Sequence, residues 1–358
     1  LYEPPGPSRD RFIGSGLRLP VGALDVFASD DDPDVVYVTE KCPGGQPQWQ
    51  RMPAAIVPGP PPRALSLEQA IAQVGSRLTE QPWPKSAIGD LLTRNPPRLK
   101  SARSDDITET IRALDDSYLA VQGPPGTGKT TLAANVITTL VRDHGWRVGV
   151  VAQSHKVVEN VLRKLVEVGL DPAKVGKSKV DDDVPFTALP DDGHHNFAAR
   201  NADGYVIGGT AWDLTNTKRI GRRQLDLLVI DEAGQFSLAA TIAVSVAARN
   251  LMLLGDPQQL PQVSQGVHPA PVDQSALGFI ADGHAVLPEE YGYFLSESWR
   301  MHSAVTAPVS ELAYDGELRS NPSADARMLA GIAPGLHPVP VPHAGNSTQS
   351  VEEAARVV

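Results

Sequence analysis

The octapeptide GPPGTGKT, Gly123 to Thr130, has the residue types and spacing that hold a chain of phosphates. Its glycines let successive backbone N–H groups turn toward an anion, and a helix starting within it adds the positive end of its dipole. Lys129 supplies a point charge for the β- and γ-phosphates, and Thr130 a hydroxyl for Mg²⁺. Gly123, Pro124, Pro125, Gly126, Thr127, Gly128 and Thr131 complete the candidate nucleotide-contacting set. A second cluster, LLVIDEAGQ, ends an apolar run in two adjacent carboxylates. Asp231 suits a Mg²⁺ ligand, and Glu232 suits a general base that polarises an attacking water. Two acids capping the next helix are the plainer reading of that pair. A third cluster, GDPQQL, ends another apolar run in two neutral amides. A glutamine has both donor and acceptor, so Gln259 can hold a phosphate oxygen and a polarised water together. The chemistry implied is nucleotide hydrolysis with Mg²⁺, and the absence of an Asn-Lys-x-Asp guanine reader points to ATP rather than GTP.

Each cluster needs a buried strand to carry it. YLAVQ precedes the phosphate loop, and RVGVVAQS, YVIGGT, LDLLVID and LMLLGD are further near-continuous apolar runs. Helical patterns alternate with them, TTLAANVITTLVRDHG after the loop and HKVVENVLRKLVEVGL after the second strand. In the latter, Val157, Val158, Val161, Leu162, Leu165 and Val168 form one apolar stripe. The fold class is therefore α/β, a parallel sheet covered by helices on both faces. Residues 65–94 read as one or two helices, with Leu67, Ala70, Ile71 and Val74 at helical spacing. Upstream lies a Pro-, Gly- and Asp-rich region with short β-like pieces such as DVVYVTE, and PGPPPR at 58–63 is a stiff linker. ASDDDPDVV fails as a calcium loop, because Val35 and Lys41 stand where Gly and Glu are required.

Composition narrows the class. The 358 residues are 41% hydrophobic and 21% charged, as in an ordinary globular protein. Cys42 is the only cysteine, which excludes an internal disulfide and a thiolate zinc site and fits a reducing cytoplasm. The apolar stretch Leu238 to Ala248 is too short to span a bilayer. The chain opens on Leu1 without an apolar leader, as an excised or trimmed piece would. A net charge of −10 argues against broad nucleic-acid binding, yet a local groove can still be basic. Two basic clusters, KVGKSK at 174–179 and KRIGRR at 218–223, are either solvated loops or nucleic-acid contacts. The pair His194–His195 has no third ligand at metal spacing and reads as an exposed loop.

GPPGTGKT, DEAGQ, GDPQQLPQV and SWRMHSAV occur in the order and context that resemble superfamily 1 helicases, particularly the group that moves 5′ to 3′. The resemblance covers roughly residues 100–320. It implies RecA-like P-loop domains in a pair, with Mg·ATP in the cleft between them and single-stranded nucleic acid across the top, DNA rather than RNA as the first expectation. On that reading residues 1–62 are a β-rich accessory module and linker, 63–104 a helical connector, 105–332 the first RecA-like ATPase domain and 333–358 the start of a second. The stretch around IGDLLTRNPPRLKS also resembles bacterial proteins that fuse a RecB-like nuclease to such a motor. No Asp/Glu-x-Lys nuclease signature is present, so any nuclease would lie in other parts of the parent chain.

The resemblance also assigns roles. Gln259 would sense the γ-phosphate, Asp256 would position its loop, and Arg300 in WRMH would reach the γ-phosphate. Trp299 stands where the family usually has Tyr and either stacks on adenine or belongs to the core. Ser154, His155 and Thr210 fall where the family grips the nucleic-acid backbone, although a helix cap explains Ser154 equally well. The family's adenine-reading Gln is missing, with Asp106 near its place. The rival readings are an ATP-dependent nucleic-acid clamp that does not unwind and a P-loop ATPase that remodels proteins.

Overall fold

The structure, a computed structural model, describes residues 24–28, 36–40, 64–80, 82–180, 183–260, 268–347 and 349–357. The PGPPPR segment, nearly all of ASDDDPDVV and Pro261–Val263 of the GDPQQLPQV motif lie outside the described residues. The chain divides into two units, Leu1–Arg63 and Ala64–Val358. In the first, β1 (Leu24–Ala28) and β2 (Val36–Glu40) form an antiparallel pair running from Leu24↔Glu40 to Ala28↔Val36.

The second unit begins with three helices, α1 (Leu65–Leu78), α2 (Ala87–Leu92) and α3 (Ile107–Arg112). Asp106 caps α3, its carboxylate accepting from the Thr108 amide at 2.7 Å, so it is committed to the helix start. The alternation then follows: β3 (Tyr118–Gln122), α4 (Lys129–His144), β4 (Arg147–Val151), α5 (His155–Glu167), β5 (Val175–Ser178), β6 (Thr187–Leu189) and α6 (His194–Arg200). It continues with β7 (Tyr205–Gly209), α7 (Ala211–Thr215), β8 (Leu225–Asp231), α8 (Leu238–Val244), β9 (Ala248–Gly255), α9 (Ala276–Ala281) and β10 (Gly292–Phe294). Eight strands make one sheet in the order β10-β3-β9-β8-β4-β7-β5-β6, every neighbouring pair parallel. After the sheet, β11 (Glu297–Ser298) and β12 (Arg319–Ser320) form a short parallel pair around α10 (Ser303–Ala313), and α11 (Val351–Val357) is exposed near the end.

Side-chain alternation along the central strands explains the two-sided cover. Leu228 and Ile230 of β8, Leu251 and Leu253 of β9 and Tyr118 and Ala120 of β3 enter one core, with Ala70 and Val74 of α1 and Leu277 of α9. The intervening Leu227, Val229, Met252, Leu254, Leu119 and Val121 enter the other, against Ile137 and Leu140 of α4 and Val158 and Leu162 of α5. Both faces are therefore dry. With all strands parallel, their carboxyl ends meet along one edge, where such sheets bind ligands.

Two sequence expectations are corrected here. KVGKSK is not a basic loop: β5 runs through it, Lys177 is 0% exposed, and its ammonium donates to Glu159 of α5 at 2.9 Å and to the Lys179 carbonyl at 2.7 Å. Lys177 thus balances a buried carboxylate and is not available to nucleic acid. Nor is His194 in an exposed loop. It starts α6 and is buried, its ring held below the ordinary imidazole value by burial and then by the Arg219 charge. Among the described residues no group of three His, Cys, Asp or Glu is placed to hold a metal, and no helix is long and apolar enough to cross a membrane. KRIGRR is largely spent inside the fold. Arg219 pairs with Asp213 and Asp191, Arg222 donates to Gln73 and the Thr215 carbonyl, and Arg223 pairs with Asp116.

Candidate active site

The phosphate loop joins β3 to α4 at the carboxyl edge of the sheet. Gly128, at φ 81°, turns the chain into the helix, which closes sixteen residues later on left-handed Gly145. Gly126 is required by space as well as by its φ of 80°, because a Cβ there would lie 2.3 Å from the Cβ of Arg300. The loop is pinned by Gly123 N–H donating to the Gly255 carbonyl at 2.8 Å and by Trp299 N–H donating to the Gly126 carbonyl at 2.8 Å. Lys129 extends over the loop and donates to the Gly123 carbonyl at 2.6 Å.

The two acids at the end of β8 have different surroundings. Asp231 is 5% exposed, without an ion pair among the described residues. Its carboxyl is pushed up to about 6 by burial, then by the neighbouring Glu232 charge; the Glu232 N–H, 3.0 Å from Oδ1, and the Lys129 charge oppose that shift. Glu232 sits at φ 54°, a left-handed conformation uncommon for a side-chain-bearing residue. That turn places Glu232 in the cavity lining, and Ala233 N–H returns to the Leu254 carbonyl at 2.9 Å. The glycine of DEAGQ permits the turn: a Cβ on Gly234 would lie 2.1 Å from the Asp256 carbonyl oxygen. Neither acid caps α8, because Ser237 does, accepting from Ala240 N–H at 3.2 Å.

At the end of β9, Asp256 is 1% exposed and among the described residues meets only neutral donors. It accepts from Gln258 N–H at 3.1 Å, Gln259 Nε2 at 3.3 Å, Gln122 Nε2 at 3.5 Å and the Tyr314 hydroxyl at 2.7 Å. A carboxylate can only accept, so the Gln259 amide must turn its nitrogen toward Asp256. Its carbonyl oxygen and second N–H remain for the cavity.

That cavity, about 380 Å³, is lined by Pro125 to Thr131, Glu232, Gln259 and Arg300. The fold thus brings together four sequence-predicted residues from four separate segments: Lys129, Glu232, Gln259 and Arg300. Among the described residues Arg300 has no carboxylate partner, so the ordinary ion pair is not its role. Trp299 is 52% exposed, which excludes the core reading, and it does not line the cavity. Ser154 and Thr210 lie at the carboxyl ends of neighbouring strands β4 and β7. Ser154 caps α5, and Thr210 bonds Asp213 through both its N–H and its hydroxyl at 2.8 and 2.9 Å. The Nδ1 of His155 is buried without a hydrogen-bond partner among the described residues. Sequence reasoning passed over Gln122, Ser298 and Tyr314. Ser298 is fully buried and donates to the Pro125 carbonyl at 3.0 Å, bracing the phosphate loop against the Arg300 segment. Its place just before Trp299 in SESWRMH was the available signal.

The chain is similar to several known proteins. The family model described as an AAA domain matches residues 105–274. The helicase/nuclease DNA2 of Saccharomyces cerevisiae, described as a DNA replication ATP-dependent enzyme, is 26% identical over 225 residues, 61% of this chain and 14% of its own length. A Drosophila melanogaster homologue of regulator of nonsense transcripts 1 is 24% identical over 272 residues, covering 65% and 23%. These matches support a superfamily 1 helicase motor. The chain spans between about a seventh and a quarter of the length of these two relatives. Among solved structures, the Arterivirus nonstructural protein 10 helicase with DNA aligns at TM-score 0.39 and 18% identity, over 57% of this chain and 41% of that one.

Proposed function

We propose that this motor core hydrolyses ATP and couples hydrolysis to movement along single-stranded nucleic acid, DNA in the first instance. The observation that carries this reading is the convergence of Lys129, Glu232, Gln259 and Arg300 on one cavity at the sheet's carboxyl edge. The phosphate-loop amides and Lys129 bind the triphosphate. Glu232 removes a proton from a water held by the Gln259 amide oxygen. The water oxygen forms a bond to the γ-phosphorus as the bond to the β–γ bridging oxygen breaks, giving ADP and phosphate. Arg300, planar and without a carboxylate partner among the described residues, stabilises the charge spread over the transferring oxygens.

The donor set fits Mg²⁺. A buried carboxylate with no cationic partner is costly unless a cation completes it, and Asp231 with the Thr130 hydroxyl offers hard oxygen donors. Such ions take one or two protein oxygens and share the substrate phosphates. When bound, Mg²⁺ would neutralise phosphate charge. A strand would lie over the ends of β4 and β7, with Ser154, His155 and Thr210 facing its backbone, and the family's second RecA-like domain would close the cavity.

A clamp that never turns over has no need of a general base held in a left-handed turn, which favours the motor over the clamp. Titration with a fluorescent ATP analogue and Mg²⁺ tests the site. Lys129→Ala should lose binding, and Glu232→Gln should bind like wild type while losing about 10²–10⁴-fold in turnover. Equal turnover in Glu232→Gln and wild type would remove the base from the mechanism.

A further inference from the structure

We propose that Tyr314 is a positioning residue for hydrolysis, acting through Asp256 to fix the amide of Gln259 and to tie that loop to the helix that follows Arg300. This rests on the motor reading above.

Tyr314 terminates α10, whose first residue, Ser303, lies three positions after Arg300. The helix is braced at both ends. Thr306 donates to the Met301 carbonyl at 3.2 Å and Ser320 donates to the same carbonyl at 2.7 Å. At the far end, Tyr314 N–H and Gly316 N–H both reach the Ser310 carbonyl, at 2.8 and 3.1 Å, and Leu318 N–H reaches the Ser310 hydroxyl at 2.9 Å. Asp315 and Gly316 take φ of 51° and 80°, the tight turn that brings the Tyr314 ring back against the sheet. There it meets Phe294 of β10, with ring centroids 6.1 Å apart. One braced segment, α10 with its flanking turns, therefore carries Arg300 at one end and the Tyr314 hydroxyl at the other.

That hydroxyl donates to Asp256 Oδ2 at 2.7 Å, and the same oxygen accepts from Gln259 Nε2 at 3.3 Å. It is the shortest of the four hydrogen bonds that hold the carboxylate. Burial and the bond to Asp256 both raise the Tyr314 hydroxyl above the ordinary phenol value, so it stays a donor at every working pH. Removing it leaves Asp256 buried with three longer hydrogen bonds, of which only the one from Gln259 holds Oδ2, so the Gln259 amide is less firmly placed. A shift of Gln259 caused by the γ-phosphate would, through the shared Asp256 oxygen, reach Tyr314 and the segment that bears Arg300.

Tyr314→Phe keeps the ring against Phe294 and deletes only the oxygen. Three measurements on the whole chain decide the matter: Mg·ATP affinity, kcat with and without single-stranded DNA, and hydrogen exchange of the Gln258 and Gln259 amides. The variant should bind Mg·ATP within about twofold of wild type, lose about tenfold in strand-stimulated kcat, and exchange those amides about fivefold faster. In a Gln259→Ala background, where the amide to be positioned is gone, Tyr314→Phe should cost less than about twofold more, because residues in one network are non-additive. A purely structural tyrosine would lower the melting temperature and act independently of Gln259. Wild-type exchange at both amides, or a full additive loss in the double variant, overturns the proposal. A wild-type chain that single-stranded DNA does not stimulate overturns the motor reading instead, and the exchange comparison then still decides whether Tyr314 holds the Gln259 loop.

Discussion

Asp231→Asn should stabilise the fold while ending its chemistry. A carboxyl held at about 6 in place of its ordinary 3.8 binds its proton more tightly when the chain is folded. At about 1.4 kcal/mol per tenfold in proton affinity, the ionised form is penalised in the native state by about 3 kcal/mol. The sign follows from the direction. This group's contribution to stability is greatest below the unfolded value of 3.8, falls as the pH rises, and is fully lost once the pH passes the folded value of about 6. Asn keeps the oxygen that accepts the Glu232 N–H at 3.0 Å and removes the charge. Its own amide carries a burial cost of about 1–2 kcal/mol, so a net gain of about 1–2 kcal/mol remains above neutrality. Urea unfolding of wild type and variant at about pH 5 and about pH 7.5 reads this directly, with the variant's advantage widening by about 1 kcal/mol at the higher pH. Mg²⁺-dependent turnover should fall to background. A variant less stable than wild type at both pH values, with the same pH slope, would refute the claim that burial of this carboxylate is the cost of the site.

Arg300→Ala should leave Mg·ATP binding within a few fold and lower turnover by about 10³, the scale of a transition-state arginine, as read by phosphate release. Lys177→Met should cost about 3–5 kcal/mol in chemical denaturation by stranding Glu159, and adding Glu159→Leu should recover most of it. If the double variant is no better than the single, the pair is not what holds β5 to α5. Gly234→Ala should slow turnover and destabilise the fold together, because the Asp256 carbonyl stands 2.1 Å from the new Cβ.

Much of the candidate site is legible in the sequence. GPPGTGKT and the carboxylates of DEAGQ declare themselves because phosphate binding constrains consecutive backbone positions, and that constraint is written in consecutive residues. The five apolar runs became five strands of the sheet because a strand buried on both faces has nowhere to put a polar side chain. Lys177 shows where that logic stops. β5 is four residues long, and the three lysines of KVGKSK made it read as a basic cluster; the burial of Lys177 in a strand is balanced by Glu159, eighteen positions earlier. β10, three residues of GYF, is too short to show a period. The network of Gln122, Asp256 and Tyr314 was hidden for a related reason. Its members are 58 to 192 positions apart, and a buried polar group looks like an exposed one until its partner is known. The exposure of Trp299 and the burial of His194 are likewise decided by neighbours distant in the chain.

The most direct measurement is phosphate release from Mg·ATP by this chain with and without single-stranded DNA, with Glu232→Gln as the blank. If the cavity is a motor site coupled to a strand, the wild type should be stimulated well above its basal rate and the variant should remain at background in both conditions. A wild-type rate indifferent to the strand, or one that Glu232→Gln shares, would contradict it.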